Sequence, residues 1–235
     1  MTQKVALITG GASGIGKSTA MILARKGINV VISGRREGLG EKAVEEIRAQ
    51  GGGDAAFIAA DVDNEAQVRG MVEFAVNKYG RLDLAVNNAG ISNETKTIGD
   101  SDTAKFQAML QTNVVGVYLC MKYEIEQMLK NGGGSIVNLA SIAGLNGIPW
   151  AGPYAATKHA VVGLTKSGAL DYATQRIEST RWLLARSRPI LSSAALKWDS
   201  TMSPPSPPCI PWAAWGTPKK SRRASRGCSR MRHPS

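Results

Sequence analysis

Short apolar segments alternate with longer segments whose apolar residues recur at helical spacing, from the N-terminus to about residue 175. The apolar segments include "KVALITG", "NVVISG", "AAFIAADV", "LDLAVNNAG" and "GSIVNLAS". Strands this apolar, separated by helices, pair in parallel and are covered by helices on both faces. The sequence therefore predicts an α/β fold with a doubly wound parallel sheet, including one long helix from about Ser101 to Lys130.

The composition changes abruptly after Gln175. Residues 1–175 contain 17 basic and 16 acidic residues, whereas residues 176–235 contain 12 basic and 2 acidic ones, so the formal charge of +11 comes almost entirely from the tail. Four of the five Trp and eight of the ten Pro also follow Gln175. We predict one catalytic domain over residues 1–175, followed by a basic, Pro-rich and disordered tail over residues 176–235.

The loop "TGGASGIG" joins the first predicted strand to the first helix. Glycines at such a junction allow a tight turn and a close approach of the backbone to a pyrophosphate, with the helix N-terminus facing the anion. An ordinary turn is the alternative, which the position between first strand and first helix disfavours. The predicted cofactor-binding residues of this loop are Gly10, Ser13, Gly14, Ile15 and Gly16.

Two arginines follow the second predicted strand, in "VVISGRR". An acid that would bind a ribose 2′-hydroxyl is expected there, but Gly34 takes its position and Arg35 and Arg36 follow. A guanidinium suits a 2′-phosphate, so the sequence favours NADP, with NAD still possible. The alternative is that one or both arginines are only solvated.

Polar residues end the third and fourth predicted strands, where ligands bind in parallel sheets. Either group alone could be a capping or turn feature, but two groups at one sheet edge favour a binding cleft. The predicted cleft residues are Asp61, Val62, Asn87, Asn88, Ala89 and Gly90.

Tyr154 and Lys158 lie four residues apart in "YAATK", so they share a face if this segment is helical. A tyrosine must lose about 3 units of pKa to act as a base near neutrality, and a nearby ammonium can contribute to that fall. Ser141, after the fifth predicted strand, could donate a hydrogen bond to a substrate oxygen.

With these elements in this order, residues 3–175 resemble the classical short-chain dehydrogenase/reductase family. The resemblance is carried by "TGGASGIG", "NNAG", Asn113 in "QTNVVG", Ser141 and "YAATK". It implies a Rossmann fold, a nicotinamide cofactor and hydride transfer between an alcohol and a ketone. It also implies an oligomer, a dimer or tetramer.

The resemblance implies a role for each of four catalytic residues. Tyr154 would be the acid or base and, like Lys158, would also contact the cofactor. Ser141 would position the substrate oxygen. Lys158 would hold the ribose and lower the pKa of the tyrosine, and Asn113 would support a proton-relay water. Asp61 would contact adenine, and Asn87 to Gly90 would line the cofactor cleft.

The family continues with a sixth strand of the form "IRVNAVAPG", but this chain has "RIESTRWLLARSRPI". Codons that encode Glu178 to Leu191 can be chosen so that the same bases, read from the third base of the Glu178 codon, spell "VNAVAPGPIEADT". Loss of one base near Ile177 and Glu178 converts the family-like reading "RIRVNAV" into the observed "RIESTRW". We therefore interpret the chain from about Ile177 onward as a frameshift product.

Two alternatives remain for the tail and the whole chain. The tail could be a selected nucleic-acid-binding arm, since "KKSRRASRGCSRMR" carries the charge for phosphate contacts, although we expect no such partner. The chain could also be a non-catalytic remnant, whose sheet would expose an apolar edge beside its fifth strand.

Nothing in the sequence predicts a metal site or a membrane segment. Cys120, Cys209 and Cys228 lack metal-ligand spacing and form no even set for disulfides, and the N-terminus leads straight into a strand. We therefore predict a cytoplasmic enzyme with a small alcohol or ketone substrate.

Overall fold

The computed structural model describes residues 3–182, and of residues 180–182 the backbone alone. Six strands and six α-helices alternate along this part of the chain. The strands are β1 (Val5–Thr9), β2 (Asn29–Gly34), β3 (Ala55–Ala59), β4 (Leu84–Asn87), β5 (Gly134–Leu139) and β6 (Ile177–Trp182). The helices are α1 (Gly14–Arg25), α2 (Glu37–Arg48), α3 (Glu65–Tyr79), α4 (Thr103–Leu110), α5 (Gly116–Lys130) and α6 (Gly152–Tyr172).

The strands form one parallel sheet in the order β3-β2-β1-β4-β5-β6. From β1 the chain adds β2 and β3 on one side. It then crosses back to add β4, β5 and β6 on the other side of β1. Loops after β1 and β4 therefore diverge at the carboxyl edge and leave a crevice between them. The predicted doubly wound α/β fold is confirmed.

Each face of the sheet carries its own apolar core, because successive side chains of a strand point to opposite faces. Leu7 of β1 packs with residues of α3, α5 and α6, whereas its neighbour Ile8 packs with residues of α1 and α2. Both side chains are fully buried. This double burial explains why the strands read as continuous apolar segments.

The expectation that the sheet ends at its fifth strand is wrong for the described residues. Ile177–Trp182 pairs in parallel with β5 over the full register from Gly134↔Ile177 to Leu139↔Trp182. Pairing uses backbone groups, which any non-proline residue supplies, and Ile177 is buried in the core beside α5 and α6. The sheet therefore includes a strand past residue 175; residues 183–235, with the predicted tail, lie outside the described part of the chain.

The predicted long helix from Ser101 to Lys130 is interrupted. A π-helical turn, Gln111–Val115, separates α4 from α5. Such a turn holds one residue more than an α-helical turn, which changes the direction in which the side chains before and after it point. The turn carries Asn113, whose side chain is completely buried.

Candidate functional site

The first loop has the geometry of an anion cradle. Gly10 and Gly14 have positive φ angles of 63° and 55°, a conformation that glycine adopts without strain. A Cβ on Gly16 would lie 2.5 Å from the Gly10 carbonyl oxygen, so only glycine lets α1 begin this close to β1. The positive end of the α1 dipole faces this loop, because α1 begins at Gly14. The Ser13 side chain makes no cap there, so it does not occupy the first backbone amides of the helix.

A cavity of about 370 Å³ opens beside this loop at the carboxyl edge of the sheet. It is lined by most of the residues predicted to bind cofactor. These are Gly10, Ser13, Arg35, Arg36, Asp61, Val62, Asn88, Ala89 and Gly90. Six further lining residues were not predicted: Ala12, Ser33, Gly34, Ala60, Ile91 and Thr112. Gly34 is the residue that takes the place of the ribose-binding acid; the other five carry no motif signal of their own, and adjacency to predicted residues was the only clue.

The cavity suits a dinucleotide. One end is the glycine cradle, which offers backbone amides to phosphates, and the other holds Arg35 beside Asp61, with 3.7 Å between Nη1 and Oδ2. A Cβ on Gly34 would meet no atom within 4 Å, so open space lies where an acid would otherwise reach a ribose. The residues present therefore fit a dinucleotide cofactor.

Asn88 joins the two loops that flank the crevice. Its side-chain Nδ2 donates to the carbonyl oxygens of Thr9 (2.9 Å) and Gly10 (3.1 Å). Its backbone N–H, like that of Ala89, donates to the Thr9 hydroxyl at 3.0 Å. The second loop thus holds the glycine cradle in place.

Asn87 was predicted to line the cleft, and this expectation is wrong for its side chain. The residue is 2% exposed, and its Nδ2 donates to Glu124 (3.0 Å) and to Asn138 (2.9 Å) beneath the loop. Successive residues at a strand end alternate in direction, so Asn87 points inward when Asn88 reaches the loops. Gly14, Ile15 and Gly16 were also predicted to bind the cofactor. They lie in α1 and do not line the cavity.

Asn113 clamps the loop after β4 onto α6. Its Oδ1 accepts from the Ile91 backbone N–H at 2.7 Å, and its Nδ2 donates to the Ile91 carbonyl at 2.8 Å and to the Thr157 hydroxyl at 3.1 Å. Both amide protons are therefore used inside the protein. The Asn113 side chain is therefore a positioning element between the loop after β4 and α6.

Asp63, which the sequence did not single out, connects the loop after β3 to the π-helical turn. Its Oδ2 accepts from the Thr112 hydroxyl at 3.0 Å, and its carbonyl oxygen accepts from Gln111 Nε2 at 3.3 Å. These hydrogen bonds fix the loop after β3 against the turn that carries Asn113. Only the tertiary structure brings these segments together, since 48 and 49 residues separate the partners along the chain.

Ser141, Tyr154 and Lys158 meet beside this clamp. Ser141 Oγ accepts from the Ala143 N–H at 3.2 Å, which leaves its hydroxyl proton for the hydrogen bond with Tyr154. Pro153 in the first turn starts α6, and the four-residue spacing then places Lys158 Nζ 5.8 Å from the centre of the Tyr154 ring. Lys158 Nζ donates to the Leu139 carbonyl at 2.7 Å.

The expected fall in the pKa of Tyr154 is not produced by the chain's own residues. Burial raises the pKa of Tyr154, and the hydrogen bond from Ser141 opposes that rise only in part. Burial also lowers the pKa of Lys158 to about 8, so that this ammonium loses its proton at a lower pH than an ordinary lysine does. Without a bound cofactor, the protein therefore keeps Tyr154 protonated at neutral pH.

Among the described residues no helix is long and apolar enough to cross a bilayer, and no three potential ligands are grouped as a metal site would require.

Comparison with known sequences gives consistent relatives. The profile of the short chain dehydrogenase family matches residues 4–181. Cyclohexanol dehydrogenase of Acinetobacter sp. (strain SE19) is 47% identical over 174 residues, which cover 74% of this chain and 69% of that protein. The 3beta-hydroxysteroid dehydrogenase of Mediterraneibacter gnavus is 39% identical over 175 residues, 74% of this chain and 63% of that protein.

Solved structures agree with this fold. NAD⁺-bound xylitol dehydrogenase superposes with a TM-score of 0.74 at 34% identity, covering 76% of this chain and 68% of that one. An actinorhodin polyketide ketoreductase with NADPH gives 0.73 at 34% identity, covering 76% and 69%. The chain therefore belongs to the short-chain dehydrogenase family of NAD(P)-dependent oxidoreductases.

Proposed function

We propose that this protein transfers a hydride between a nicotinamide cofactor and a secondary alcohol or ketone, with Tyr154 as the acid or base. The observation that carries the proposal is the convergence of Ser141, Tyr154 and Lys158 beside a cavity that fits a dinucleotide. The same proposal includes a homo-oligomer, dimeric or tetrameric, and a cytoplasmic location. Turnover of NADPH with a panel of cyclic and linear ketones tests it.

Each side chain has a defined task in this proposal. The bound cofactor supplies or accepts the hydride. In ketone reduction Tyr154, kept protonated by burial, gives its phenolic proton to the carbonyl oxygen, and the Ser141 hydroxyl orients that oxygen. Lys158 Nζ uses one proton for the Leu139 carbonyl and has two left for ribose hydroxyls or the phenolic oxygen.

Ring-shaped substrates are the first to test. The relatives named above are a cyclohexanol dehydrogenase and a 3beta-hydroxysteroid dehydrogenase, and a third, from Sphingobium indicum, is a 2,5-dichloro-2,5-cyclohexadiene-1,4-diol dehydrogenase at 36% identity over 205 residues. All three names describe alcohols on carbon rings. We therefore propose a cyclic secondary alcohol, or its ketone, as the substrate class.

We propose that the protein prefers NADP over NAD, because Arg35 can bind a 2′-phosphate. The variant Gly34→Asp is expected to reverse this preference. The new carboxylate has open space, because nothing lies within 4 Å of a Cβ at this position. It would repel a 2′-phosphate and accept a hydrogen bond from a 2′-hydroxyl. The ratio of NADPH to NADH dissociation constants is expected to shift toward NADH by about tenfold or more.

Arg35→Ala provides the complementary measurement. Loss of a charge-assisted hydrogen bond of about 1.5–3 kcal/mol is expected to weaken NADPH binding by about tenfold or more and to leave NADH binding unchanged. Arg48→Ala, which removes an arginine of α2 outside the cavity, is the matched control. Equal losses for both cofactors would contradict the assignment of Arg35 to the 2′-phosphate.

We further propose that the chain from about Ile177 onward is a frameshift product. Two observations support this origin: the composition break after Gln175, and the buried Ser179 hydroxyl, which has no hydrogen-bond partner among the described residues. The shifted frame has valine at position 179, which would fill the same space without a polar group.

The frameshift proposal predicts that Ser179→Val raises the melting temperature. Removing an unsatisfied buried hydroxyl is expected to raise the free energy of unfolding by about 1–3 kcal/mol. Each kcal/mol raises the melting temperature of a chain of this size by about 2–4 °C. A chain expressed from the restored frame is expected to melt higher still. Coding DNA whose bases at codons 178–191 are incompatible with the shifted reading would rule the origin out.

A second candidate function follows from that origin: a non-catalytic remnant of such an enzyme. The observation that favours it is coverage, since the matched region spans only 63% of the hydroxysteroid dehydrogenase. NADPH turnover by the 235-residue chain would reject the remnant. Cofactor binding without turnover, combined with turnover by the restored frame, would support it.

A further inference from the structure

A buried polar cluster lies beneath the active-site loops and plays no part in the proposed reaction. Glu124 of α5 is 0% exposed, and its Oε2 accepts from Asn87 Nδ2 at 3.0 Å. Asn87 Nδ2 also donates to Asn138 Oδ1 at 2.9 Å, and Asn138 Nδ2 donates to the Thr165 hydroxyl at 3.0 Å. The cluster therefore links α5, β4, β5 and α6 through one continuous chain of hydrogen bonds.

The cluster has more acceptors than donors. Both amide protons of Asn87 and both of Asn138 are used, the latter on Thr165 and on the Met121 sulfur at 3.3 Å, and the Thr165 hydroxyl donates to the Val161 carbonyl. Glu124 Oε1 and Asn87 Oδ1 have no partner among the described residues, although both are buried. An added proton on Glu124 would give this cluster the further donor that it lacks.

We propose that Glu124 is a positioning residue held as a neutral carboxylic acid in the folded protein, and that losing its proton loosens Asn87 and Asn138. Asn87 directly precedes Asn88, which binds the glycine cradle. Asn138 directly precedes Leu139, whose carbonyl binds Lys158. A single buried proton thus supports both halves of the site.

Among the side chains that the structure describes, no counter-charge lowers the pKa of Glu124. Burial raises the pKa of Glu124 to about 7, and the hydrogen bond from Asn87 is the opposing influence. Neither Lys158 of α6 nor Glu178 of β6 adds to this shift, and the α3 residues packed in the same core are apolar. Cys120, one turn earlier on α5, has its own pKa raised by burial and by the Glu124 charge.

The sign of the pH effect follows from this raised pKa. Between the ordinary value of 4.5 and about 7 the folded chain binds more protons than the unfolded chain. Its stability therefore falls as the pH rises through that window, and this contribution is gone above it. Glu124→Gln puts a neutral amide in this place, with an acceptor oxygen and an NH2 group that donates two protons, and it removes this pH dependence.

The proposal is tested on the full chain with Glu124→Gln and, as control, Glu126→Gln on the same helix, where the side chain is exposed and pairs with Lys130. Infrared difference spectra at about pH 6 are expected to show a protonated carboxyl C=O band that Glu124→Gln removes and Glu126→Gln retains. From pH 5 to pH 8 the melting temperature of the unaltered chain is expected to fall about 5 °C further than that of Glu124→Gln.

NADPH binding gives a second measurement, which rests on the proposed function. Affinity is expected to fall several-fold more between pH 6 and pH 8 in the unaltered chain than in Glu124→Gln; titration of Lys158 is common to both and cancels. No NADPH binding in any chain would contradict the proposed function, while the infrared and melting results would still decide the state of Glu124.

A missing carboxyl band, or parallel melting curves against pH, would overturn the proposal. Should Glu124→Gln fail to fold, titration of the band in the unaltered chain decides. Persistence of the band to about pH 7 supports a buried neutral acid, and its disappearance by about pH 5.5, as for ordinary carboxyl groups, overturns it.

Discussion

Tyr154→Phe is expected to lower ketone reduction by a factor of about 10²–10⁴ and to leave the dissociation constant of NADPH unchanged. The substitution removes only the phenolic oxygen, which is the hydrogen-bond partner of Ser141 and the proposed proton donor. Tyr154 does not line the dinucleotide cavity, so cofactor binding has no reason to fall. Steady-state turnover with a cyclic ketone and fluorescence titration with NADPH measure the two effects separately.

Two further variants sharpen this result. Ser141→Ala is expected to lower turnover less than Tyr154→Phe, because it removes a group that orients the carbonyl and leaves the proton donor in place. Tyr172→Phe alters a tyrosine at the end of the same helix and is expected to have no effect on turnover. Turnover retained by Tyr154→Phe would overturn the assignment of the acid.

Asn113→Ala is expected to reduce both stability and turnover. It leaves the Ile91 N–H and C=O without their partners, at a cost of about 1–3 kcal/mol for each buried group. At about 2–4 °C per kcal/mol, the melting temperature is expected to fall by roughly 10 °C. Turnover is expected to fall by about tenfold or more, because α6 loses its link to the loop after β4.

Asn64→Ala separates a positioning effect from general destabilisation. Asn64 caps α3 by accepting from the Gln67 N–H, and loss of the cap costs about 1 kcal/mol without touching the cleft. This variant is expected to melt lower and keep its turnover at 25 °C. Asn113→Asp, which keeps the acceptor for the Ile91 N–H but loses both donors, is expected to fall between the parent chain and Asn113→Ala. Full turnover in a destabilised Asn113→Ala would contradict the positioning role.

Local sequence patterns were sufficient to predict those parts of the structure that depend on residues close together in the sequence. The alternation of apolar strands and helices predicted the doubly wound sheet because each strand is buried on both faces. The glycines of the first loop predicted the anion cradle because positive φ and close backbone contact are properties of single positions. The four-residue spacing brought Tyr154 and Lys158 to one helix face for the same reason.

Contacts between distant segments, and burial, could be decided only by the tertiary structure. Residues from Ile177 add a sixth strand although their sequence departs from the family pattern, because pairing with β5 depends on backbone groups. A π-helical turn aims Asn113 into the interior, and Asn87 points under the loop instead of into the cleft. The pKa of Tyr154 rises because burial outweighs the Ser141 hydrogen bond, and Glu124 is buried against the Asn87 amide, 37 residues away along the chain. Sequence spacing encodes which residues share a helix or strand, but the depth at which a polar group is buried depends on how those elements pack.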